Sequence, residues 1–141
     1  MAEGPLLLQL RNDTAELEAG QKTLRAFLEA EGVSTRALYH AELAFEELVT
    51  NIIRHGFGFR DRGMHPIHVK ALVQGEEIVL TVEDAAPPFD PSQAPQPDLP
   101  NGIDDAKIGG LGLRLVRMAA KRMDYERVGN RNRVTVAIAR T

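Results

Sequence analysis

The sequence predicts an α+β fold, a two-layer α/β sandwich in which a mixed, mainly antiparallel sheet is covered on one face by helices. Three observations carry this. Ile67, Val69, Ala71 and Val73 alternate with other residues, and a Gly75-Glu76 turn leads into a second apolar stretch, Ile78 to Glu83, so the two read as a hairpin. Leu38, Ala41, Phe45, Leu48 and Ile52 recur in steps of three and four, the stripe of a half-buried helix. The order of segments is strand, two helices, two strands, long loop, helix, two strands, which suits one layer of helices on one sheet.

The elements follow in order. Leu6 to Arg11 reads as a short strand. Asp13 is placed as an N-cap with Glu16 in the capping-box position, and Leu17, Leu24, Phe27 and Leu28 follow at helical spacing until Gly32. Ser34 caps the second helix, with Val33 and Leu38 as a hydrophobic staple and Gly56 as a C′ residue. From Ala85 to Ile108 the character changes. Six of the eight prolines fall there, among Asp, Asn and Gln, and a loop of that length inside a small domain is usually functional. Gly109 to Gly112 then opens a third helix carrying Leu113, Leu115, Val116 and Ala119. Met123 to Val128 and Arg133 to Arg140 read as two final strands joined by Gly129-Asn130.

The 141 residues suit a single domain, 1–141, with one core. A net charge of −3 offers no broad basic field, so nucleic acid is not expected as a direct partner. The absence of cysteine excludes disulfides and thiolate metal sites. The apolar start at Leu6-Leu7-Leu8 is too short for a signal peptide or a spanning helix, so no membrane role is expected and a cytoplasmic protein is the default.

Three groups of residues are suited to chemistry. Glu47, Asn51 and His55 are spaced four apart and drift slowly along the flank of the second helix's apolar stripe. The plainer reading is three solvated polar residues, as for Glu42 and Glu46. Asp84 ends a strand and is followed by the small residues Ala85 and Ala86, which let a ligand come close to the backbone. A carboxylate there can accept from an exocyclic amine, or merely cap a turn. Gly109-Gly110-Leu111-Gly112 exposes backbone N–H groups at a helix start, an arrangement suited to phosphate, although a close helix crossing needs the same glycines. It is neither a P-loop nor a dinucleotide fingerprint.

Together these segments resemble the GHKL ATPase superfamily, and within it the anti-sigma-factor serine/threonine kinases of bacterial partner-switching systems. ELVTNIIRHG, Glu47 to Gly56, is similar to that family's N box. DAAPPFDP, Asp84 to Pro91, resembles the G1 segment, and Gly110-Leu111-Gly112-Leu113 the G2 box. Met123-Asp124-Tyr125 and a late strand with Thr135 extend the likeness over nearly the whole chain. The resemblance implies a Bergerat-type ATP-binding fold that takes ATP and Mg²⁺. It implies that Asn51 coordinates Mg²⁺ through its amide oxygen and that Glu47 accepts the proton of the attacking hydroxyl. By the same resemblance Asp84 holds the adenine amine, with Ala86 beside it and Thr135 nearby. Gly110, Leu111, Gly112 and Leu113 bring backbone N–H groups to the phosphates. Lys107 would assist the γ-phosphate or stand as a solvated residue of an ATP lid at about 87–108. His55 is read as structural and Arg54 as a surface residue.

Two departures stand out. The family commonly has glycine two positions after the G1 aspartate, where this chain has Ala86. No arginine lies between Phe89 and Gly110, so charge on the transferring phosphoryl would rest on Mg²⁺, Lys107 and backbone donors. The function implied is a Mg-ATP-dependent serine/threonine protein kinase and anti-sigma factor. It would phosphorylate an anti-anti-sigma, STAS-domain partner, sequester a sigma factor and form a homodimer. The rival is a non-catalytic nucleotide-binding module that sequesters a regulatory partner; Glu47 favours the kinase, since binding alone needs no base. A stand-alone sensor histidine kinase is disfavoured, because the sequence shows no dimerising phosphoacceptor helices. A catalytic piece of a longer fusion is a third possibility.

Overall fold

The two periodicities place the elements close to where the sequence suggests. A computed structural model describes residues 4–56, 63–91 and 111–141. Among these run β1 (Leu6–Arg11), α1 (Leu17–Ala30), α2 (Thr35–Asn51), β2 (Pro66–Gln74), β3 (Glu77–Asp84), α3 (Leu111–Ala119), β4 (Arg122–Val128) and β5 (Arg131–Ala139). Asp13 caps a short 3₁₀ turn, Thr14–Glu16, by accepting from the Ala15 N–H at 3.1 Å. Glu16 does not return to Asp13 as a capping box would. Its carboxylate accepts from the Arg11 N–H at 2.9 Å and ties the turn to β1. Ser34 caps α2 as expected, its Oγ accepting from the Ala37 N–H at 3.0 Å.

The far end of α2 differs from the expected glycine C-cap. The helix widens after Asn51 into a π-helical segment, Ile52–Gly56, and Gly56 does not take a positive φ. Such segments are rare and cluster at functional sites. Gly56 serves by its small size, since a Cβ there would crowd Ala86.

The sheet has the order β1-β2-β3-β5-β4, and every neighbouring pair is antiparallel. This corrects the expectation of a mixed sheet. β5 folds back from β4 through a turn at Gly129, whose φ of +61° favours glycine, and lies between β4 and β3. β1, β3 and β4 therefore run one way and β2 and β5 the other, and no two strands of the same direction pair.

Alternation along the strands sorts the two faces. Ile67, Val69 and Ala71 of β2, Ile78, Leu80 and Val82 of β3, and Val134, Val136 and Ile138 of β5 are buried against the helices. Leu24 and Leu28 of α1, Phe45 and Leu48 of α2, and Val116 of α3 complete that core. A side chain of this size contributes about 1.5–3 kcal/mol when it leaves water. The opposite face carries charge: Glu77 pairs with Arg122 and Lys121, and Glu83 with Arg133 and Arg131. The guanidinium of Arg122, then the ammonium of Lys121, holds the Glu77 carboxyl down at about 2. The architecture brings the end of α2 and the end of β3 together beside the start of β5, and α3 packs on α2.

Candidate functional site

A cleft enclosing about 370 Å³ of empty space, open solvent included, lies at that junction. Leu48, Asn51, Ile52 and Gly56 line it from α2 and its π-helical extension. Val82 and Asp84 come from β3, Ala86, Pro87, Phe89 and Pro91 from the chain that follows, and Asn132 and Val134 from β5. Its walls are mostly apolar, with a few convergent polar groups, the usual character of a small-molecule site.

Asp84 is the last residue of β3 and is on the inward register, so the residue is only 4% exposed. A carboxylate removed from water needs hydrogen-bond partners. Oδ1 accepts from the Ala86 N–H at 2.9 Å and from Asn132 Nδ2 at 3.0 Å. Oδ2 has no donor among the described residues, and Asp84 lines the cleft. It is therefore suited to accept from a ligand's amine.

Ala86 is 2% exposed. A Cβ placed on Gly56 would come within 3.1 Å of the Ala86 methyl. The methyl that departs from the family pattern thus packs where Gly56 offers a bare Cα. Two small residues share the space, and the π-helical segment brings Gly56 to that point.

Asn51 lines the same cleft from the last turn of α2. Glu47, one turn earlier, reaches toward the start of α3: a Cβ placed on Gly112 would overlap the Glu47 carboxylate. A side chain at 112 would make that carboxylate, the free end of a flexible side chain, turn aside, so glycine there lets Glu47 sit against the helix start. Burial pushes the Glu47 carboxyl above its ordinary range; neighbouring Glu46 adds to the rise and Arg54 opposes it. Oxygen donors from Asn51 and Glu47 beside a helix N-terminus match what a hard divalent cation and its phosphate ligands take. No cluster of three or more His, Asp or Glu is present among the described residues, so Mg²⁺ would depend on phosphate and water for the rest of its shell.

The remaining residues named from the sequence fall variously. Leu113 is 2% exposed within the core, so only its backbone is available to a ligand. Leu111 is the first residue of α3, and His55 lies in the π-helical segment. Arg54 is exposed, as expected. Lys107 and Gly110 lie outside the described residues, as does the expected lid beyond Pro91.

Thr135 is a correction. It pairs with Thr81, three positions from the Asp84–Asn132 pair in the β3–β5 register. An odd number of positions along a strand turns a side chain to the opposite face. Thr135 is thus on the face away from the helices, and the side chain beside Asp84 is Asn132.

Sequence reasoning missed Asn132 and Arg127 and gave Tyr125, named only in the family likeness, no part in the site; Tyr125 and Arg127 both donate to the Asn132 amide oxygen. A signal was present. Stepping back by two from Ile138, Val136 and Val134 puts Asn132 on the inward face, where a polar residue is unexpected. Starting the last strand at Arg133 left it out.

Comparisons with known proteins agree with the fold. The sequence profile of the family described as "Histidine kinase-like ATPase domain" matches residues 10–138. The chain is 32% identical over 135 residues to serine/threonine-protein kinase BtrW of Bordetella bronchiseptica, covering 89% of this chain and 92% of that protein. It is 30% identical over 115 residues to serine-protein kinase RsbW of Listeria monocytogenes, covering 79% of this chain and 72% of that one. Among solved structures, that of the RsbU and RsbW domains of Rv1364c from Mycobacterium tuberculosis shares the fold, with a TM-score of 0.67 at 18% identity. The likeness covers 96% of this chain and 31% of the longer one.

Proposed function

This chain belongs to the family of histidine kinase-like ATPase domains, and from that premise we propose that its cleft binds Mg-ATP and transfers the γ-phosphoryl group to a protein hydroxyl. It is a serine/threonine protein kinase, like the relatives named as such. The observation that carries the reading is the layout of the cleft. Asp84 lines it from β3 and Asn51 from α2, and one turn before Asn51 the Glu47 carboxylate meets the start of α3 at Gly112.

Asp84 accepts the amine of adenine through Oδ2, while the apolar walls take the faces of the ring. Asn51 would hold Mg²⁺ by its amide oxygen, and the ion would supply neutralisation of charge on the phosphates. The first N–H groups of α3 face those phosphates. Glu47 takes the proton of the acceptor hydroxyl as its oxygen bonds to the γ-phosphorus and the bond to ADP breaks. A carboxyl raised by burial is a stronger base than an ordinary glutamate.

The acceptor is a serine or threonine on an anti-anti-sigma protein of the STAS type, and the same kinase sequesters a sigma factor as a cytoplasmic homodimer. The relatives named as serine/threonine- and serine-protein kinases support a protein hydroxyl as the acceptor. Among the described residues no helix is long and apolar enough to cross a membrane. The test is incubation with labelled Mg-ATP and candidate STAS proteins. Label on an acceptor serine or threonine is the expected result. Binding to such a partner without transfer would replace the kinase by a sequestering module.

A further inference from the structure

Asn132 is 3% exposed and faces Asp84 across the β3–β5 ladder. Its Nδ2 donates to Asp84 Oδ1 at 3.0 Å, to the Ala86 carbonyl at 3.2 Å and to the Pro87 carbonyl at 3.1 Å. Its Oδ1 accepts from the Tyr125 hydroxyl at 2.6 Å, from Arg127 Nη1 at 3.2 Å and from the Phe89 N–H at 3.3 Å. An amide has two N–H protons and two oxygen lone pairs. With these bonds made, it keeps nothing for a ligand. Its orientation is fixed as well. Turned over, it would set its oxygen against a carboxylate and two carbonyls, and its nitrogen against three donors.

We infer that Asn132 is a positioning residue for base recognition, acting through Asp84 and not by touching the nucleotide. By engaging Oδ1 it leaves Oδ2 as the oxygen presented to the cleft. By bonding the Ala86 and Pro87 carbonyls and the Phe89 N–H it ties the chain after β3 into the cleft wall. Tyr125 and Arg127 hold the amide from the β4 side, and Arg127 Nη1 also donates to the Ala86 carbonyl at 2.8 Å. A carboxylate oxygen held this way accepts from the 6-amino group of adenine and repels the 6-oxo group of guanine. Asn132 therefore contributes to the preference for ATP over GTP. This inference rests on the nucleotide-site reading of the cleft.

Asn132→Asp tests it in the full chain. The variant keeps the side chain's shape and its acceptor oxygen, but turns a second carboxylate oxygen toward Asp84. Calorimetry with Mg-ATP and Mg-GTP, alongside a thermal melt, gives the readout. Losing a bond to a charged group is expected to weaken Mg-ATP binding about 10- to 100-fold at neutral pH. Mg-GTP binding should change little, so the selectivity ratio narrows. The titratable groups touching this side chain are Asp84 on β3 and Tyr125 and Arg127 on β4. Two facing carboxylates share a proton as pH falls, which restores a donor. The variant's deficit relative to wild type should therefore shrink toward acid pH, an effect that a role in packing alone does not give. Tyr125→Phe removes one bond to the amide oxygen outside the cleft; a loss of about threefold is expected. It carries the test should Asn132→Asp melt early. Wild-type protein that binds no Mg-ATP overturns the nucleotide reading of the cleft and this inference with it. Wild type that binds Mg-ATP, with both folded variants equal to it at every pH, overturns the role of Asn132 alone.

Discussion

At the strand-built end of the cleft, Asp84 and Asn132 are opposite each other in one ladder, both nearly sealed from water and bonded to each other. At the helix-built end, Asn51 lines the cleft from the last turn of α2, and one turn earlier Glu47 meets the start of α3. The first end is fixed by backbone register, since the partner strands cannot slip without turning every side chain over. The second depends on how one helix seats on another, and the contact there is a carboxylate against the bare Cα of Gly112. On the proposed reading, base recognition would be built into the sheet and the chemistry into a helix packing.

Substitutions at the helix end should separate binding from chemistry, and the largest effect is expected at Asn51. Asn51→Ala should abolish the Mg²⁺-dependent part of ATP affinity while the melting temperature stays near wild type, because an amide oxygen and not packing is what it supplies. Calorimetry with and without Mg²⁺ measures this, and unchanged affinity would remove Asn51 from the metal site.

Glu47→Gln comes next. Transfer should fall by about 10²–10⁴-fold, the usual contribution of a general base, with nucleotide affinity held or raised as a repelling carboxylate is lost. Because burial raises the Glu47 pKa, the base is lost to protonation at a higher pH than an ordinary glutamate. Wild-type transfer should therefore decline on the acid side with an apparent pKa above 4.5, and Glu47→Gln should lack that limb. Single-turnover rates across pH give both results.

Gly112→Ala probes the helix contact itself. The added methyl meets the free end of the Glu47 side chain, which must turn aside, so a modest loss of stability is expected. In a Glu47→Ala background most of that loss should vanish, giving a coupling of about 0.5–3 kcal/mol. Additive losses in the double variant would mean that Gly112 serves the phosphate and not the glutamate.

The smallest effect is expected back at the strand end. Ala86→Gly removes a methyl already accommodated by Gly56, so Mg-ATP affinity should change by less than about 1 kcal/mol, roughly the worth of one methylene. A large gain in affinity would show that the methyl crowds the adenine after all.

What the chain order settles by itself is local. Steps of three and four from Leu38 to Ile52, alternation from Ile67 to Val73, and Ser34 before a helix specify their elements because neighbours in sequence share one hydrogen-bonding pattern. For the same reason the four-residue spacing of Glu47 and Asn51 was enough to place them on one side of a helix. Contacts between distant segments were not legible in that way. Nothing local says that β5 enters the sheet between β3 and β4, and so nothing local says that Asn132, not Thr135, meets Asp84. Nor does helical spacing foretell the π-helical turn that brings Gly56 against Ala86, or the seat of Glu47 over Gly112. These depend on register and on side-chain volume in three dimensions, where one residue of slip reverses a face and one methyl group fills a gap.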